Sequence, residues 1–279
     1  MSEGAAVVLC GGRSSRMGRA KAWLPWRGQP MLAYVVERLR EVVDEVVVVS
    51  SAELAPPPVE ALLVRDSAPA EGPLQGLAEG LARVEAPLAF VTGTDAPFLR
   101  ADFVRAMLAF GVPVAPVHDG IVQTLAAVYP REAAARAREL LARGRRRPLD
   151  LLEAVDYRQL DASDLPGTDG LRGFNTPEQY LAAVASDVGD ATARLEFSGS
   201  LGETAGVDEL EVPVGSLAEL LARAPEGLGL CEGEAVSPRY RVSLDGRDWL
   251  VDTRVPIGPG ERVIVSAAGG QGPGKSGLQ

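Results

Sequence analysis

The sequence predicts an α/β fold with a mostly parallel sheet, followed by a smaller second domain. In the N-terminal part of the chain, short apolar runs alternate with segments of helical periodicity, which is typical of βαβ units. The first run opens directly into a glycine-rich loop, and later runs are followed at once by polar or charged residues. Ligands of open α/β sheets bind beyond the carboxyl ends of the strands, so these loops are the expected site.

Each element follows from its own pattern. The apolar residues 5–9 suit a short buried strand, and residues 31–40 carry apolar side chains at helical spacing. The valine-rich run 45–49 is typical of a buried parallel strand. The other predicted elements are strands over 61–64 and 87–92, a helix over 74–83, two extended segments between 112 and 129, and a helix over 176–186.

The loop after the first strand predicts an anion site. Gly11 and Gly12 allow a ligand to approach the backbone closely, and successive N–H groups in such a turn form a concavity for anions. Four cations follow within the loop: Arg13, Arg16, Arg19 and Lys21. A solvated surface turn is the alternative. Lysine occurs only at Lys21 and Lys275 among 28 basic residues, which suggests that Lys21 is kept for a purpose.

Polar residues follow the next three predicted strands. Ser50, Asp66 and Asp95 should converge on the same sheet edge as the glycine-rich loop. An aspartate near a triphosphate can hold Mg²⁺, which takes one or two carboxylates together with phosphate oxygens and water. For Asp95, a capping role in the turn before the next helix is the alternative.

These residues form a pattern, L-x-G-G-x-x-x-R-M-G-x-x-K, that resembles the signature loop of the molybdenum cofactor guanylyltransferases and their cytidylyltransferase relatives. The family's further elements R-D, G-P-L-x-G, D-x-P and N-T-P-E match, in order, Arg65-Asp66, Gly72-Pro73-Leu74-Gln75-Gly76, Asp95-Ala96-Pro97 and Asn175-Thr176-Pro177-Glu178. The resemblance implies a Rossmann-like nucleotidyltransferase domain, with Leu9, Lys21, Asp66 and Asp95 as nucleotide contacts and Asp95 also as the Mg²⁺ ligand.

Loop chemistry and resemblance together give one set of expected site residues. The substrate-binding residues are Leu9, Gly11, Gly12, Arg13, Lys21, Ser50, Asp66, Asp95 and Asn175, and the catalytic residues are Lys21, Arg16 and Asp95. The implied reaction transfers GMP from GTP to molybdopterin cofactor and releases pyrophosphate. A phosphate nucleophile is already ionised at neutral pH, so the reaction requires no protein base.

Two further features leave alternatives open. His118, the only histidine, fits a solvated turn with Asp119 and Gly120 better than it fits a catalytic base. The arginine-rich stretch 143–147 either complements a helix dipole in solvent or contacts an anionic second substrate. The competing functions are transfer of CMP, a sugar phosphate as the acceptor, and a non-catalytic scaffold or carrier in cofactor assembly.

The C-terminal part resembles a second family. Leu201-Gly202-Glu203-Thr204-Ala205-Gly206 and the later run Pro259-Gly260-Glu261-Arg262-Val263-Ile264-Val265, leading to Gly269-Gly270, are similar to the small sulfur-carrier subunit of molybdopterin synthase. That resemblance implies a ubiquitin-like β-grasp domain, with the synthase large subunit or the carrier's activating enzyme as partner. The expected domains are 1–188 and 193–270, with a flexible tail over 271–279 beyond the double glycine where carriers end.

Composition excludes several functions. A net charge of −10 argues against a general nucleic-acid binder, which needs a basic face. No apolar run approaches the roughly 18 residues expected of a membrane helix. The two cysteines are too few for a disulfide framework or a zinc site, which favours a reducing, cytoplasmic compartment.

Overall fold

The computed structural model describes residues 4–11, 17–66, 68 and 72–268. The strands are β1 (Gly4–Cys10), β2 (Pro25–Trp26), β3 (Gln29–Pro30), β4 (Glu45–Ser51), β5 (Leu62–Asp66), β6 (Leu88–Gly93), β7 (Val114–His118), β8 (Ile121–Val122), β9 (Ala126–Pro130), β10 (Arg158–Asp161), β11 (Thr192–Phe197), β12 (Glu209–Pro213), β13 (Gly215–Ser216), β14 (Cys231–Glu232), β15 (Ala235–Val236), β16 (Tyr240–Leu244), β17 (Asp248–Leu250), β18 (Pro256–Ile257) and β19 (Arg262–Ala267). The α-helices are α1 (Met31–Arg40), α2 (Pro73–Leu81), α3 (Ala101–Leu108), α4 (Ala133–Ala142), α5 (Pro148–Ala154), α6 (Pro177–Val188), α7 (Ser200–Ala205) and α8 (Leu217–Leu221). Short 3₁₀ helices cover Lys21–Trp23, Ala162–Asp164 and Thr168–Leu171.

By its internal contacts the chain forms two compact units. Among the described residues, the first unit contains 4–11, 20–24, 29–66, 68 and 72–173, and the second contains 17–19, 25–28 and 174–268. The boundary at 173/174 falls earlier than the expected boundary after residue 188. The physical reason is that α6 packs within the second unit, where the Tyr180 hydroxyl donates a hydrogen bond of 2.7 Å to the Pro25 carbonyl.

The first unit is built on a mostly parallel sheet, as the sequence predicts. Its strand order is β10-β7-β9-β6-β1-β4-β5, with β8 paired to β7. Strands β6, β1, β4 and β5 run parallel, whereas β9 is antiparallel to β6. The register places Gly93, Leu9, Val49 and Val64 in one row across these four strands. The loops that leave them therefore start from one edge.

Helices cover both faces of this sheet. One face packs against α2, α4 and α5, and the other packs against α1 and α3. Helix α2 lies close to the sheet because it presents glycines there: a Cβ on Gly80 would lie 2.4 Å from Val7 Cγ1, and one on Gly76 would lie 3.1 Å from Leu9 Cδ2. Moving from Gly76 to Gly80 along α2 therefore moves the contact from Leu9 back to Val7 along β1. Helix α2 runs antiparallel to the strand and begins at the carboxyl edge.

The second unit is built on a mixed sheet of order β12-β11-β19-β16-β17. Strand β11 is antiparallel to β12 and parallel to β19, and β16 is antiparallel to β19 and β17. Helix α8 starts with a capping box in which the Ser216 hydroxyl and the Glu219 carboxylate each bond the other's backbone N–H. Its leucines join the buried side of the sheet around Leu195, Val263 and Val265.

Predicted elements in the first unit correspond closely to observed ones. Helix α1 has the predicted bounds, and the predicted turn at 118–120 is a two-residue hairpin loop between β7 and β8. Asp119 and Gly120 both have positive φ, 49° and 74°, which such tight hairpin turns require. No helix in the described stretches is long and apolar enough to cross a membrane.

Candidate active site

A salt bridge lies at the carboxyl edge of the first unit's sheet. Lys21 Nζ is 2.7 Å from Asp95 Oδ2, and the two side chains are 19 % and 33 % exposed. Lys21 begins the 3₁₀ helix Lys21–Trp23, which is fixed by a hydrogen bond from the Leu24 N–H to the Lys21 carbonyl. Two of the three residues predicted to carry catalysis, Lys21 and Asp95, are thus brought together within reach of solvent; the third, Arg16, lies outside the described residues.

Thr94 fixes the start of the Asp95 loop. Its backbone N–H and its hydroxyl both donate to the Leu9 carbonyl, at 3.2 and 3.0 Å. These bonds join the loop after β6 to the end of β1. Leu9, a predicted nucleotide contact, is half-buried and contributes its carbonyl to this brace.

Residues 167–173 support the same loop from the other side, and sequence reasoning missed them. A Cβ on Gly173 would lie 2.8 Å from the Asp95 carbonyl, and one on Gly170 would lie 2.9 Å from the Phe98 carbonyl. The Arg172 guanidinium stacks 4.5 Å from the centre of the Phe98 ring. The glycines spaced along 167–173 were the available signal, because such close backbone contact leaves no room for a side chain.

Asp66 ends β5, and the residue is only 9 % exposed. The backbone N–H of Ala68 donates to Oδ1 at 2.8 Å. Burial raises the pKa of Asp66 above its ordinary value of 3.8; that hydrogen bond opposes the rise, and the negative charge of Glu79 adds to it. Asp66 is therefore held in one orientation and is easier to protonate than a surface aspartate.

Ser50 is fully buried, and its hydroxyl donates to the carbonyls of Ser51 and Leu54, each at 3.2 Å. Arg65 also donates to the Ser51 and Leu54 carbonyls. The Ser50 hydroxyl, which was predicted to contact the substrate, therefore holds the turn after β4. Sequence reasoning did not assign Arg65 that part, although it stands beside Asp66 in the R-D motif.

The glycine-rich loop is described in part. Gly11 is exposed, and among the described residues a Cβ there would meet the Ser51 nitrogen at 3.4 Å and the Ser51 Cβ at 4.0 Å. Burial raises the pKa of the neighbouring Cys10 thiol to about 11. The predicted residues Gly12, Arg13 and Arg16 lie outside the described residues.

Arg19 is not one of the loop cations free to bind an anion. In the second unit its guanidinium pairs with Glu261 at 2.7 Å, and the two side chains are only 14 % and 9 % exposed. It also donates to the Pro256 carbonyl at 3.3 Å. The expectation that Arg19 faces a polyphosphate or solvent is corrected, because Glu261 already neutralises its charge.

Two other candidates occupy exposed positions. Asn175, at the start of the second unit, is exposed, and its backbone N–H donates to Gln179 Oε1 at 2.7 Å. His118 sits at the β7–β8 turn with a side chain 43 % exposed, 3.7 Å from the Asp119 carboxylate. The described part of the chain contains no group of three or more His, Cys, Asp or Glu side chains placed to hold a metal by themselves.

Comparisons with known proteins identify the family of the N-terminal part of the chain. Residues 6–159 match the family model described as "MobA-like NTP transferase domain". A probable molybdenum cofactor guanylyltransferase of Mycobacterium avium is 36 % identical over 190 residues, which covers 65 % of this chain and 94 % of the relative. A protein with the same description from Bacillus cereus is 29 % identical over 194 residues, covering 66 % and 96 %.

Solved structures share the fold of this region. Molybdopterin-guanine dinucleotide biosynthesis protein A from Archaeoglobus fulgidus superposes with a TM-score of 0.55 at 22 % identity, over 64 % of this chain and 96 % of that one. A nucleotidyl transferase from Methanothermobacter gives 0.50 at 18 % identity, over 64 % and 95 %. The α/β nucleotidyltransferase fold therefore accounts for about the first two thirds of the chain.

Proposed function

Because this chain belongs to the MobA-like NTP transferase family, we propose that it transfers GMP from GTP to the terminal phosphate of molybdopterin-type cofactor. An ionised oxygen of the acceptor phosphate attacks the α-phosphorus of GTP. A new phosphorus–oxygen bond forms, the bond from the α-phosphorus to the bridging oxygen breaks, and pyrophosphate leaves with that electron pair. The observation that carries the proposal is the Lys21–Asp95 pair at the carboxyl edge of the sheet.

Lys21 and Asp95 have different electrostatic roles in the proposed reaction. Lys21 neutralises the negative charge that builds up on the leaving pyrophosphate, which is the main protein contribution expected in a transfer between phosphates. The braces from Thr94 and from Gly173 hold the Asp95 loop before substrate arrives.

The Asp95 carboxylate is suited to hold Mg²⁺ together with the phosphates of a nucleotide. Asp95 offers a part-exposed carboxylate, and Mg²⁺ in nucleotide sites commonly takes one or two carboxylates while phosphates and water complete its shell. Asp95 would hold the ion. When bound, Mg²⁺ supplies Lewis-acid stabilisation of phosphate oxygens.

Pyrophosphate release tests the reaction and its base preference. The purified chain is incubated with Mg²⁺, molybdopterin and one of GTP, CTP, ATP or UTP, and pyrophosphate is measured by a coupled assay. We expect release with GTP to exceed release with every other nucleotide. Preference for CTP would show that the chain is a cytidylyltransferase. Release with a sugar phosphate in place of molybdopterin would show a different acceptor. No release with any nucleotide and acceptor would favour a non-catalytic scaffold in cofactor assembly.

The second unit supports an additional role as a sulfur carrier. The proposal is supported by the sheet order, in which two antiparallel strands precede a helix and an antiparallel pair, and the last strand lies in the middle beside the first. Strand β19 ends at Ala267, two residues before Gly269-Gly270. We propose that cleavage after Gly270 exposes a glycine carboxylate for adenylation by an activating enzyme and then for thiocarboxylation, and that the large subunit of molybdopterin synthase accepts the sulfur.

Intact-mass measurement of natively expressed protein tests the carrier role. A species ending at Gly270 supports it, and a further mass change for replacement of oxygen by sulfur would identify the thiocarboxylate. A chain that retains residues 271–279 in every preparation contradicts it. The GMP-transfer assay is independent of this result.

A further inference from the structure

A loop rich in arginine follows helix α4. We call residues 143–147 the arginine loop; it contains Arg143, Arg145, Arg146 and Arg147 around Gly144, whose φ of +77° turns the chain. The loop ends where α5 begins at Pro148. In a chain of net charge −10, this stretch is a local concentration of positive charge.

Packing against α2 brings the arginine loop to the edge that carries Lys21 and Asp95. A Cβ on Gly72, the residue before α2, would lie 3.9 Å from the Arg146 carbonyl. Helix α2 begins at the carboxyl edge, since Gly76 lies beside Leu9 at the end of β1 and Gly80 lies beside Val7. The loop therefore flanks the same edge of the first unit's sheet.

Only part of the loop's charge is used inside the protein. Arg147 pairs with the buried Asp150 at 2.7 Å and keeps the pKa of that carboxyl below its ordinary value, so Asp150 neutralises one arginine. Arg145 is 3.6 Å from the same carboxylate and remains 61 % exposed. The Arg143 side chain makes no hydrogen bond or ion pair with the residues that the structure describes. One carboxylate cannot neutralise both Arg145 and Arg147, so the exposed Arg143 and Arg145 leave net positive charge for a ligand.

A transfer between two phosphates needs a second source of positive charge. GTP and a phosphate acceptor repel each other as they approach, and this repulsion grows as water is excluded. Near the strand ends, Lys21 is paired with Asp95, and Arg65 donates to backbone carbonyls. Guanidinium groups match phosphate oxygens in geometry and keep their charge at every relevant pH.

We propose that Arg143 and Arg145 form the subsite for the phosphate monoester of the acceptor. This inference rests on the proposed function, because it assigns the second substrate of the same reaction. The triphosphate of GTP has the same chemistry, so the test separates the two sources of phosphate.

The test compares Arg143→Ala, Arg145→Ala and the double variant with the wild type. At saturating GTP we expect each single variant to raise the KM for molybdopterin on the order of tenfold, the effect of losing one charge-assisted hydrogen bond, and the double variant to raise it further. The kcat and the Kd of a non-hydrolysable GTP analogue should stay within about twofold. Arg145→Lys should recover only part of the loss, because an ammonium lacks the guanidinium fork.

Arg138→Ala is the matched control, since it removes the same charge from the exposed surface of α4. It should leave the KM for molybdopterin unchanged. An unchanged KM in the double variant would overturn the proposal, and a raised Kd for the GTP analogue would reassign the loop to the triphosphate.

A direct measurement of molybdopterin binding tests the subsite independently of the proposed GMP transfer. Molybdopterin binding to the wild type and to the double variant is followed by the fluorescence of the pterin, without GTP. If the wild type binds and the double variant does not, the subsite stands even if no nucleotide supports turnover. Equal binding to both proteins overturns the subsite whatever the turnover assay shows.

Discussion

Lys21 and Asp95, 74 residues apart in sequence, are joined by a 2.7 Å salt bridge at the end of the parallel sheet. Each partner keeps the other oriented before any nucleotide arrives. A site prepared in this way loses less free energy to reorganisation when charge develops in the reaction. The pair is therefore the first target for substitution.

Lys21→Ala and Asp95→Asn should each lower turnover on the order of 10² to 10³, because in the proposed reaction Lys21 neutralises the leaving pyrophosphate and Asp95 holds Mg²⁺. The double variant should lose much less than the product of the two single losses, because the residues act as a unit. Steady-state kinetics with GTP measures this. Asp44→Asn, an exposed aspartate before β4 at the opposite edge of the sheet, is the control and should keep full activity. Near-wild-type turnover in either single variant would remove that residue from the mechanism.

Substitution by alanine should have different effects at two glycines of the first unit: at Gly80 it should lower stability, and at Gly11 it should weaken GTP binding. In Gly80→Ala the new methyl group would fall 2.4 Å from Val7 and 2.9 Å from Val49, and overpacking of this kind costs about 1 to 3 kcal/mol. Urea denaturation should show that loss, while the Kd for GTP of the folded protein stays unchanged.

Gly11→Ala is the complementary variant, since among the described residues its methyl group comes no closer than 3.4 Å, to the Ser51 nitrogen. Stability should barely change, but the Kd for GTP should rise because the methyl group occupies the anion concavity. If Gly11→Ala binds GTP normally, the loop backbone does not approach the phosphates.

The raised pKa of Asp66 predicts a pH dependence of folding. Between the ordinary value of 3.8 and the higher folded-state pKa, the unfolded carboxyl is ionised while the folded one still holds its proton. Unfolding then releases a proton, so the Asp66 contribution to stability falls as pH rises through this window. Asp66→Asn should remove this slope in denaturation curves, and it should weaken GTP binding if Asp66 contacts the nucleotide. An unchanged slope would show that the carboxyl is not perturbed.

The nearly buried pair of Arg19 and Glu261 should matter for the stability of the second unit. Glu261→Gln leaves a charged guanidinium with little access to water, and breaking a buried pair typically costs about 3 kcal/mol or more. Chemical denaturation measures the loss. The control is Arg254→Ala, which breaks the exposed pair with Asp252 and should cause no measurable change. Equal stability of Glu261→Gln and wild type would mean that Arg19 finds another partner.

Gly173→Ala should disturb catalysis by displacing Asp95. The added methyl group would fall 2.8 Å from the Asp95 carbonyl, a backbone atom that no side-chain rotation can move away. Small displacements of positioned groups lower rates strongly, so we expect kcat to fall on the order of tenfold or more. The Kd for GTP should change less than kcat. An unaffected kcat would show that the Asp95 loop tolerates the shift.

Sequence reasoning succeeded where a short pattern decides the structure. Apolar spacing gave the bounds of α1, and the valine run gave β4, because buried faces in these segments have one clear period. The edge strand β10 was missed because only Leu160 of its residues is buried, so alternation is weak. The polar loops were placed correctly since parallel strands share one carboxyl edge.

Long-range pairs were not accessible in the same way. The rarity of lysine singles out Lys21, but nothing within the glycine-rich loop predicts that Arg19 is neutralised by Glu261 or that Lys21 pairs with Asp95. The role of Gly173 depends on a backbone that approaches from a distant part of the chain. Such contacts are set by tertiary packing, which a single sequence does not reveal.

The strand order also sets distances along the site. Strands β6 and β5, which lead to Asp95 and Asp66, are separated by β1 and β4, and three inter-strand spacings amount to about 14 Å. Two carboxylates whose backbones are that far apart cannot chelate one cation. A nucleotide bound along this edge, as we propose, would instead meet them at different points, so the strand spacing would fix how far a substrate must extend to reach both carboxylates.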